Sequence, residues 1–464
     1  MNAFARCNKN NKLTDIVVGL MGVLVLTGLV ACSSSGGGGT PEAFITRISV
    51  NATGEGGDGL SQTPDMSADG RYVVFESSAT NLVTGDTNDD FDIFLKDTQN
   101  NTIKRISVDS AGVEANGRSR RPVISADGEI VVYYSDAANL VTDDLNDEND
   151  VFLYNIATSV TTRISIADGV DGVEGNGRSD FTSINADGSY VAFRSLASNL
   201  VTGDMNNRGD IFLRDTLNNT TTRVSIANGV DGAEGNDNSH DPSISADGQV
   251  IAFESFATNL VDSDTNGFAD IFVRNIANNT TTKLSLSTGP NEVEGNSNSL
   301  NPSLSADGQF VSFVSIASNL VADDLNNVPD LFLRDIANNI TTRISVDSNG
   351  EEVNERGIYS SISQDGRYIA FQSIATNLVA NDTNGFSDVF IRDTQTSETF
   401  RVSVDQDGAE ADGDSREFSG LINAVISDDG RYVAFGSEAT NLVSDDVEMQ
   451  ADIFRVLISK TPQP

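Results

Sequence analysis

Short runs of alternating apolar and polar residues recur from Phe44 to the end of the chain. Their apolar positions are rich in β-branched residues, and no segment keeps an apolar period of 3.6 residues, so the pattern predicts strands. An Asp-Gly pair after a Ser-rich step marks each repeat. The pairs begin at Asp69, Asp127, Asp187, Asp247, Asp307, Asp365 and Asp429, with spacings of 58, 60, 60, 60, 58 and 64 residues. This period indicates an architecture of seven repeats.

Each repeat contains four strand-like segments. A short Ser-Ile-Ser-like run precedes the Asp-Gly pair, and an apolar run such as residues 190–193 follows it. Asp-Gly between strand-like runs predicts a hairpin, because Gly adopts the positive φ of a tight turn. A third run follows at 211–214 and a Thr-rich fourth run at 221–225, after an Asn-Asn turn.

Four strands in each of seven repeats predict an all-β fold, a seven-bladed β-propeller of four-stranded antiparallel blades. A solenoid is the alternative, but its coils are shorter and hold fewer strands. The seventh repeat stops after its third strand, at 453–456, and the missing type of strand stands at 45–49. The N-terminal strand is therefore expected to pair in the last blade and close the ring.

The first residues have the pattern of a targeting signal. Arg6, Lys9 and Lys12 precede an apolar stretch at 16–30, and the sequence Leu-Val-Ala-Cys ends at Cys32. Small residues before Cys32 resemble the bacterial lipobox, which implies cleavage before Cys32 and a lipid on it; an ordinary secretory peptide is the alternative.

These patterns divide the chain into a signal peptide at 1–31, a Ser/Gly-rich tether at 32–43, the propeller at 44–459 and a tail at 460–464. The prediction is a lipid-anchored protein of the cell envelope. Ser33 after the cysteine resembles lipoproteins that are sent to the outer membrane of a Gram-negative bacterium.

The chain is strongly acidic, with 29 basic and 68 acidic residues, and from Cys32 onward its net charge is −41. Nucleic acid is therefore not expected as a partner, and membrane contact is expected only through the lipid on Cys32. An envelope protein or a glycan remains as the partner class. A surface that only keeps the protein soluble is the alternative explanation of the charge.

The motifs of the repeat, Ser-x-Asp-Gly, Val-Ala-Phe-x-Ser, Asp-Ile-Phe-x-Arg-Asp and Thr-x-Arg-Ile-Ser, resemble the TolB-type, WD-repeat-like β-propeller family. The resemblance extends from Phe44 to about Ser459. It implies a propeller fold and a cell-envelope setting, but no single activity. TolB itself carries an additional α/β domain for which this chain has no room.

The loop between the second and third strands contains Asp-x-Asn-x-x-x-Asp, whose oxygens suit a hard cation such as Ca²⁺. Asx-turns that cap strand ends are the alternative. The Asp, Asn and Asp residues of the copies are Asp86, Asn88 and Asp92; Asp144, Asn146 and Asp150; Asp204, Asn206 and Asp210; Asp264, Asn266 and Asp270; Asp324, Asn326 and Asp330; Asp382, Asn384 and Asp388; and, in the seventh, Asp446, Glu448 and Asp452.

No residue is predicted to be catalytic, since His240 is the single histidine and both cysteines, Cys7 and Cys32, precede the repeats. The prediction is a non-catalytic binding or scaffold module, with calcium-stabilised loops as one option. A propeller-type enzyme, either a polysaccharide lyase or hydrolase or a peptidase, and a purely structural envelope protein are the alternatives. An irregular cluster of charged residues favours the enzyme, whereas near-identical loops favour repeated roles.

Overall fold

A computed structural model describes residues 44–289, 292–415, 424–446 and 450–458. Several sequence predictions lie outside these residues. They are the signal peptide, Cys32, the tether, Glu448, the C-terminal tail and most of an insertion at 416–425 in the last repeat. Among the described residues, no helix has the length and apolar character needed to cross a membrane.

The described residues form 28 β-strands. The strands up to the end of blade 3 are β1 Ile45–Arg47, β2 Ser61–Met66, β3 Tyr72–Ser77, β4 Asp92–Asp97, β5 Thr102–Arg105, β6 Ser119–Ile124, β7 Ile130–Ser135, β8 Asp150–Asn155, β9 Val160–Arg163, β10 Ser179–Ile184, β11 Tyr190–Ser195, β12 Asp210–Asp215 and β13 Thr220–Arg223. Those of blades 4 to 7 are β14 Ser239–Ile244, β15 Val250–Ser255, β16 Asp270–Asn275, β17 Thr280–Lys283, β18 Ser299–Leu304, β19 Phe310–Ser315, β20 Asp330–Asp335, β21 Ile340–Arg343, β22 Gly357–Ile362, β23 Tyr368–Ser373, β24 Asp388–Asp393, β25 Glu398–Arg401, β26 Ala424–Ile426, β27 Tyr432–Ser437 and β28 Asp452–Leu457.

These strands form seven four-stranded sheets, which are the blades of a β-propeller. Six sheets contain four consecutive strands, from β2–β5 in blade 1 to β22–β25 in blade 6. Neighbouring strands are antiparallel throughout. The predicted fold class is confirmed.

The seventh blade combines both ends of the chain, in the order β1-β28-β27-β26. Ile45 lies opposite Val456 and Arg47 opposite Phe454. Beyond β1, the Ile48 N–H donates to the Ile453 carbonyl at 2.7 Å. The pairing closes the ring, as the sequence predicts, and leaves β28 covered on both sides.

Apolar side chains from neighbouring blades form the core. In every blade a ring on the second strand packs against a ring on the third, with centroids 5.7–6.0 Å apart, as in Phe371–Phe390 and Tyr133–Phe152. Leu82 of the Asn-Leu-Val segment is 2 % exposed and packs in a cluster that joins blades 1 and 7. The core thus runs around the ring from one blade to the next.

The outer edge of blades 2 to 6 is covered by a short hairpin from the preceding blade. In blade 3 the Thr221 N–H donates to Asp168 at 2.8 Å and its hydroxyl donates to the Ile166 carbonyl at 2.7 Å. The same threonine contact recurs at Thr161, Thr281, Thr341 and Thr399. These contacts satisfy edge groups that an uncovered strand would offer to another chain.

The two kinds of connection lie on opposite faces of the ring, because the strands of each blade alternate in direction. The Asp-Gly and Asn-Asn turns share one face, the Asp-Gly face, where Gly70 adopts a φ of 68°. The long connections, such as residues 78–91 and 106–118, share the other, the long-loop face. Binding residues are commonly found on long loops of a rigid scaffold.

We predict that the N-terminal strand is needed for cooperative folding. A chain that starts at Asn51 loses the buried Ile45 and Ile48, each of which contributes about 1.5–3 kcal/mol when fully buried. It should unfold at a lower Tm and over a broader range than a chain that starts at Phe44. Calorimetry of the two chains measures this, and equal transitions would show that the ring does not depend on β1.

Candidate functional site

The calcium-type loops contribute to a repeated cluster of charged side chains, which we term the acid cluster. Each contains the first and last Asp of the predicted motif, and in blades 1 to 6 a Glu from the second long connection joins them. A basic residue at the end of the outer strand lies among these carboxylates. The basic residues are Arg105, Arg163, Arg223, Lys283, Arg343 and Arg401, with Arg47 in blade 7.

In blade 1 one guanidinium nitrogen contacts all three acids. Nη1 of Arg105 lies 3.3 Å from Asp86, 3.4 Å from Asp92 and 2.6 Å from Glu114. Asp92 is buried and Arg105 is partly buried, with side chains 0 % and 10 % exposed. The basic side chain therefore occupies the centre of the cluster and neutralises part of its charge.

The Asn of the motif has a different role from the two Asp residues. Asn88 accepts the Asp90 N–H through its side-chain oxygen at 2.9 Å, and its amide group donates to Asp92 at 3.0 Å. The equivalent amide-to-Asp bond is present at Asn146, Asn206, Asn266, Asn326 and Asn384. These bonds are those of an Asx-turn, in which the oxygen is already engaged.

Burial raises the pKa of the first Asp in several clusters. The pKa values of Asp86, Asp144, Asp204 and Asp382 rise to about 6, first through burial and then through the charge of the second Asp. The basic residue opposes this rise in each case. The pKa of the second Asp, such as Asp92, is also raised by burial, although a hydrogen bond from Ser107 opposes it.

Blade 7 departs from the other six. Arg47 lies 3.6 Å from Asp446 and 2.5 Å from Asp452, but Gly56 stands where the other blades have the Glu. A side chain at Gly56 would overlap the Arg47 guanidinium, since its Cβ would lie 2.2 Å from Nη2. The glycine makes room for the arginine of the closing strand.

Carboxylate oxygens of three clusters lie within 4.8 Å of one another and could hold a metal ion, namely those of Asp86, Asp92 and Glu114; Asp144, Asp150 and Glu174; and Asp264, Asp270 and Glu294. The motif search identified the two Asp residues of each cluster but missed the Glu. Residues Glu114, Glu174 and Glu294 all follow the outer strand, so comparing the repeats position by position would have shown them.

The second candidate site is the central channel, a cavity of about 500 Å³ lined by the first strand of every blade. In blades 1 to 6 this inner strand contains a bulge that shifts its pairing with the second strand, as between Asp180 and Ser183. One residue of the bulge has a positive φ, which costs energy in any residue but Gly. We term these six channel-lining residues the bulge ring: Thr63, Arg121, Phe181, Asp241, Asn301 and Tyr359, with φ between 44° and 53°.

The bulge ring is chemically irregular, although the loops around it are nearly identical. It combines a hydroxyl, a guanidinium, a carboxyl, an amide and two aromatic rings. The neighbouring position on the inner strand is equally varied, with Gln62, Arg120, Asp180, His240, Leu300 and Ile358. The repeats therefore diverge at the wall of the channel.

Charged and aromatic side chains of blades 2 to 4 meet beside the bulge ring. The Arg121 guanidinium lies 4.3 Å from the centre of the Phe181 ring and 3.9 Å from Asp241. Arg194 lies 3.5 Å from Asp180, which is also paired with Arg178 at 2.7 Å. We term these residues, with His240 and Glu254, the channel cluster.

Burial shifts the pKa values in this cluster. The pKa of Asp241 rises to about 6 through burial and the Asp180 charge, although Arg121 opposes the rise. The pKa of Glu254 rises to about 8 through burial and then the charge of Asp241. Burial lowers the pKa of His240 to about 4, and its ring packs edge-on against Phe181 and Phe256.

At the Asp-Gly face, backbone hydrogen bonds link the blades in a closed ring. The N–H groups of Ala68, Asp127, Ala186, Ala246, Asp307, Gln364 and Asp429 donate to the carbonyls of Ala126, Ala186, Ala246, Ala306, Gln364, Asp428 and Ala68. Near this end Asp65 and Asp428 also line the channel. Burial, with a smaller effect from Asp428, raises the pKa of Asp65 to about 7.

The sequence analysis predicted no functional residue in the channel. Asp241 and Arg121 carry no motif of their own, and their importance depends on the ring that brings distant repeats together. An alignment of the seven repeats would have revealed the signal, because one or two positions vary in chemistry while their neighbours do not.

No protein-family model and no curated protein matches this chain. Several solved structures match it in fold. An oligogalacturonate lyase in complex with manganese matches with a TM-score of 0.54 and 12 % identity over 90 % of this chain and 93 % of its own. The β-propeller domain of the Trilobed protease from Pyrococcus furiosus, described as having an open velcro topology, matches with a TM-score of 0.50 and 13 % identity over 86 % and 92 % of the two chains.

TolB from Acinetobacter baumannii matches more distantly, with a TM-score of 0.40 and 16 % identity over 74 % of this chain and 63 % of its own. This likeness is too distant to carry an argument about function. At these identities the comparisons show the fold alone, and the chain is similar to β-propellers of several activities.

We predict that lowering the pH from about 8 to about 5 raises the Tm. An acid whose pKa is higher in the folded state than in the unfolded state takes up a proton on folding, and the stability linked to it is lost as the pH rises through the folded value. Asp382 and its equivalents have a folded-state pKa of about 6. The lowered pKa of Asp97, about 2, lies outside the range, and His240, whose pKa is lowered to about 4, opposes the rise as a single group.

Calorimetry in about 1 M salt, where the Debye length is about 3 Å, separates this effect from repulsion across the acidic surface. Asp382→Asn should show a smaller rise than the unaltered protein. A rise of the same size in Asp382→Asn would mean that the acid clusters do not cause it.

We predict that Arg105 is the resident cation of its cluster. Arg105→Gln should lower the free energy of unfolding by up to roughly 3–5 kcal/mol, because it leaves buried carboxylates unpaired. Ca²⁺ should restore part of the loss, and it should raise the Tm of this variant more than that of the unaltered protein.

Arg118→Gln is the matched control, since Arg118 pairs with Asp90 at 2.9 Å on the surface and its side chain is 57 % exposed. Thermal unfolding in EDTA, Ca²⁺ and Mg²⁺ measures these effects. A saturating, Ca²⁺-specific rise in the unaltered protein would instead support the calcium loops of the sequence prediction.

Proposed function

We propose that the protein is a lipid-anchored β-propeller of the bacterial cell envelope. It would bind a ligand at the end of its central channel that opens on the long-loop face, which we term the channel mouth, and would not transform that ligand. The lipid would be attached at Cys32, and the Ser/Gly-rich segment that follows would tether the ring. The lipobox-like sequence that ends at Cys32 supports the anchor, and Ser33 after it supports the outer-membrane location.

The irregular bulge ring is the observation that carries this proposal. Six residues with a costly backbone conformation line one cavity and differ in chemistry, from Thr63 to Tyr359. Packing alone would favour the same residue in every repeat, as it does for the paired rings of the blade cores. Backbone strain and chemical variety together are typical of a site that selects a ligand.

The acid clusters have a structural role in this proposal. They are nearly the same in six blades, and a basic side chain already lies among their carboxylates. They would hold the long loops in place around the mouth of the channel. Ca²⁺ is a candidate ion for the clusters in blades 1, 2 and 4, where the carboxylates lie close enough together to bind one.

An enzyme is the second candidate function, because the channel cluster contains two carboxyls whose pKa values are raised. Burial raises the pKa of both Glu254 and Asp241, and the charge of Asp241 raises that of Glu254 further. Such a pair can serve as general acid and general base. Product formation that Glu254→Gln abolishes would favour the enzyme over the binding module.

We predict that filling the channel removes ligand binding. Val123 lines the channel, so Val123→Trp should obstruct it, whereas Val160→Trp places the same side chain on the outer strand β9. A thermal-shift panel would contain neutral oligosaccharides, uronate oligosaccharides, polyamines and short peptides. At least one class should raise the Tm of the unaltered protein and Val160→Trp, but not that of Val123→Trp.

Two results would count against the proposed function. One is a panel with no stabilising member. The other is stabilisation that persists in Val123→Trp, which would place the ligand outside the channel.

A further inference from the structure

We infer that the ligand of the channel mouth is a neutral oligosaccharide. This inference rests on the proposed function, since it names the chemical class that the same site selects. It depends on the paired charges of the channel cluster, on unpartnered hydroxyls in the channel and on exposed apolar side chains of the long-loop face.

The cationic side chains of the channel cluster are paired with acids. Arg121 lies 3.9 Å from Asp241, and Arg194 lies 3.5 Å from Asp180. A ligand carboxylate would have to compete with these acids for a guanidinium, and the net charge of −39 would repel it during approach. The site thus disfavours anionic ligands such as uronates.

A cationic ligand meets the converse obstacle. Asp180 is held between Arg178 and Arg194, and only 2 % of its side chain is exposed. Glu254 accepts the Asn301 N–H at 2.9 Å, and burial raises the pKa of its carboxyl to about 8. Asp241 already shares its charge with Arg121, so a cation would have to displace an internal partner.

A neutral hydroxyl can use both members of an ion pair without breaking it, because it donates to a carboxylate and accepts from a guanidinium. The side chains of Arg121 and Asp241 are 23 % and 30 % exposed and both line the channel. Neighbouring hydroxyls of a sugar ring present donors and acceptors at this spacing. The pair therefore suits a diol better than an ion.

Two channel-lining hydroxyls lack a hydrogen-bond partner among the described residues, Thr63 Oγ1 and Thr182 Oγ1. Thr63 is 6 % exposed and belongs to the bulge ring. A buried polar group without a partner is destabilising, and a hydroxyl-rich ligand that reached these oxygens would supply the missing partner.

Exposed apolar side chains follow the second strands of blades 3, 4 and 5, on the long-loop face. They are Leu196, Phe256 and Ile316, which are 43 %, 40 % and 46 % exposed. Phe256 contacts His240, which in turn contacts Phe181 of the bulge ring. Aromatic and aliphatic faces of this kind pack against the C–H face of a pyranose, while the polar groups reach its hydroxyls.

Isothermal titration of the full chain with sugar tetramers tests this inference. The neutral probes are gluco-, manno-, galacto- and xylo-tetraoses; the charged probes are tetragalacturonate and a glucosamine tetramer. At least one neutral tetramer should bind, with an affinity that changes less than about twofold between low salt and about 1 M salt, because no net charge is exchanged.

Asp241→Asn and Arg121→Gln should each weaken that binding about tenfold or more, the expected effect of losing a hydrogen bond to a charged group. Asp237→Asn and Arg208→Gln are matched controls, because this pair lies 3.5 Å apart on the exposed surface. The controls should change the affinity less than about twofold. The Tm of each variant verifies that it folds.

The outcomes separate this inference from the proposed function. Channel-dependent binding of only tetragalacturonate or only the glucosamine tetramer would overturn the neutral saccharide and leave the channel as the site. Binding of a channel-dependent peptide or polyamine, without any tetramer, would do the same. Failure of every probe in both experiments would overturn both proposals.

Discussion

The pairing of β1 with β28 is the constraint on which the rest of the structure depends. Each blade buries its apolar faces against two neighbours, so the ring needs a complete last blade. A strand from the other end of the chain completes it, and Arg47 of that strand also enters the acid cluster of blade 7. Closure fixes the inner strands around one axis, and the bulge ring surrounds a cavity for this reason.

The positions that recur between repeats and the positions that vary are separate in the fold. The paired rings of the core, the Leu of the Asn-Leu-Val segment and the acid clusters recur with little change, and all of them hold neighbouring segments together. The bulge ring and the positions beside it vary in size, polarity and charge. A repeated scaffold can tolerate this variety because the ladder of backbone bonds on either side of the bulge does not depend on the side chain.

Internal ion pairs explain how so acidic a chain can form a compact ring. Seven basic side chains lie among carboxylates that would otherwise repel one another on the long-loop face. In the channel, Arg121 and Arg194 have the same effect on Asp241 and Asp180. These two ion pairs therefore carry little net charge, in a protein whose surface is strongly negative.

The amino-acid sequence by itself determined the period, the strand content, the seven blades and the closing strand, because these follow from local alternation and from turn residues such as Asp69-Gly70. It also placed the two Asp residues of each acid cluster in one loop. Only the tertiary structure showed that Glu114 and Arg105 complete that cluster, since both belong to other segments of the repeat. The channel was decided by tertiary structure alone: Arg121, Phe181 and Asp241 are 60 residues apart in succession and carry no local signal, and they meet only because the ring closes.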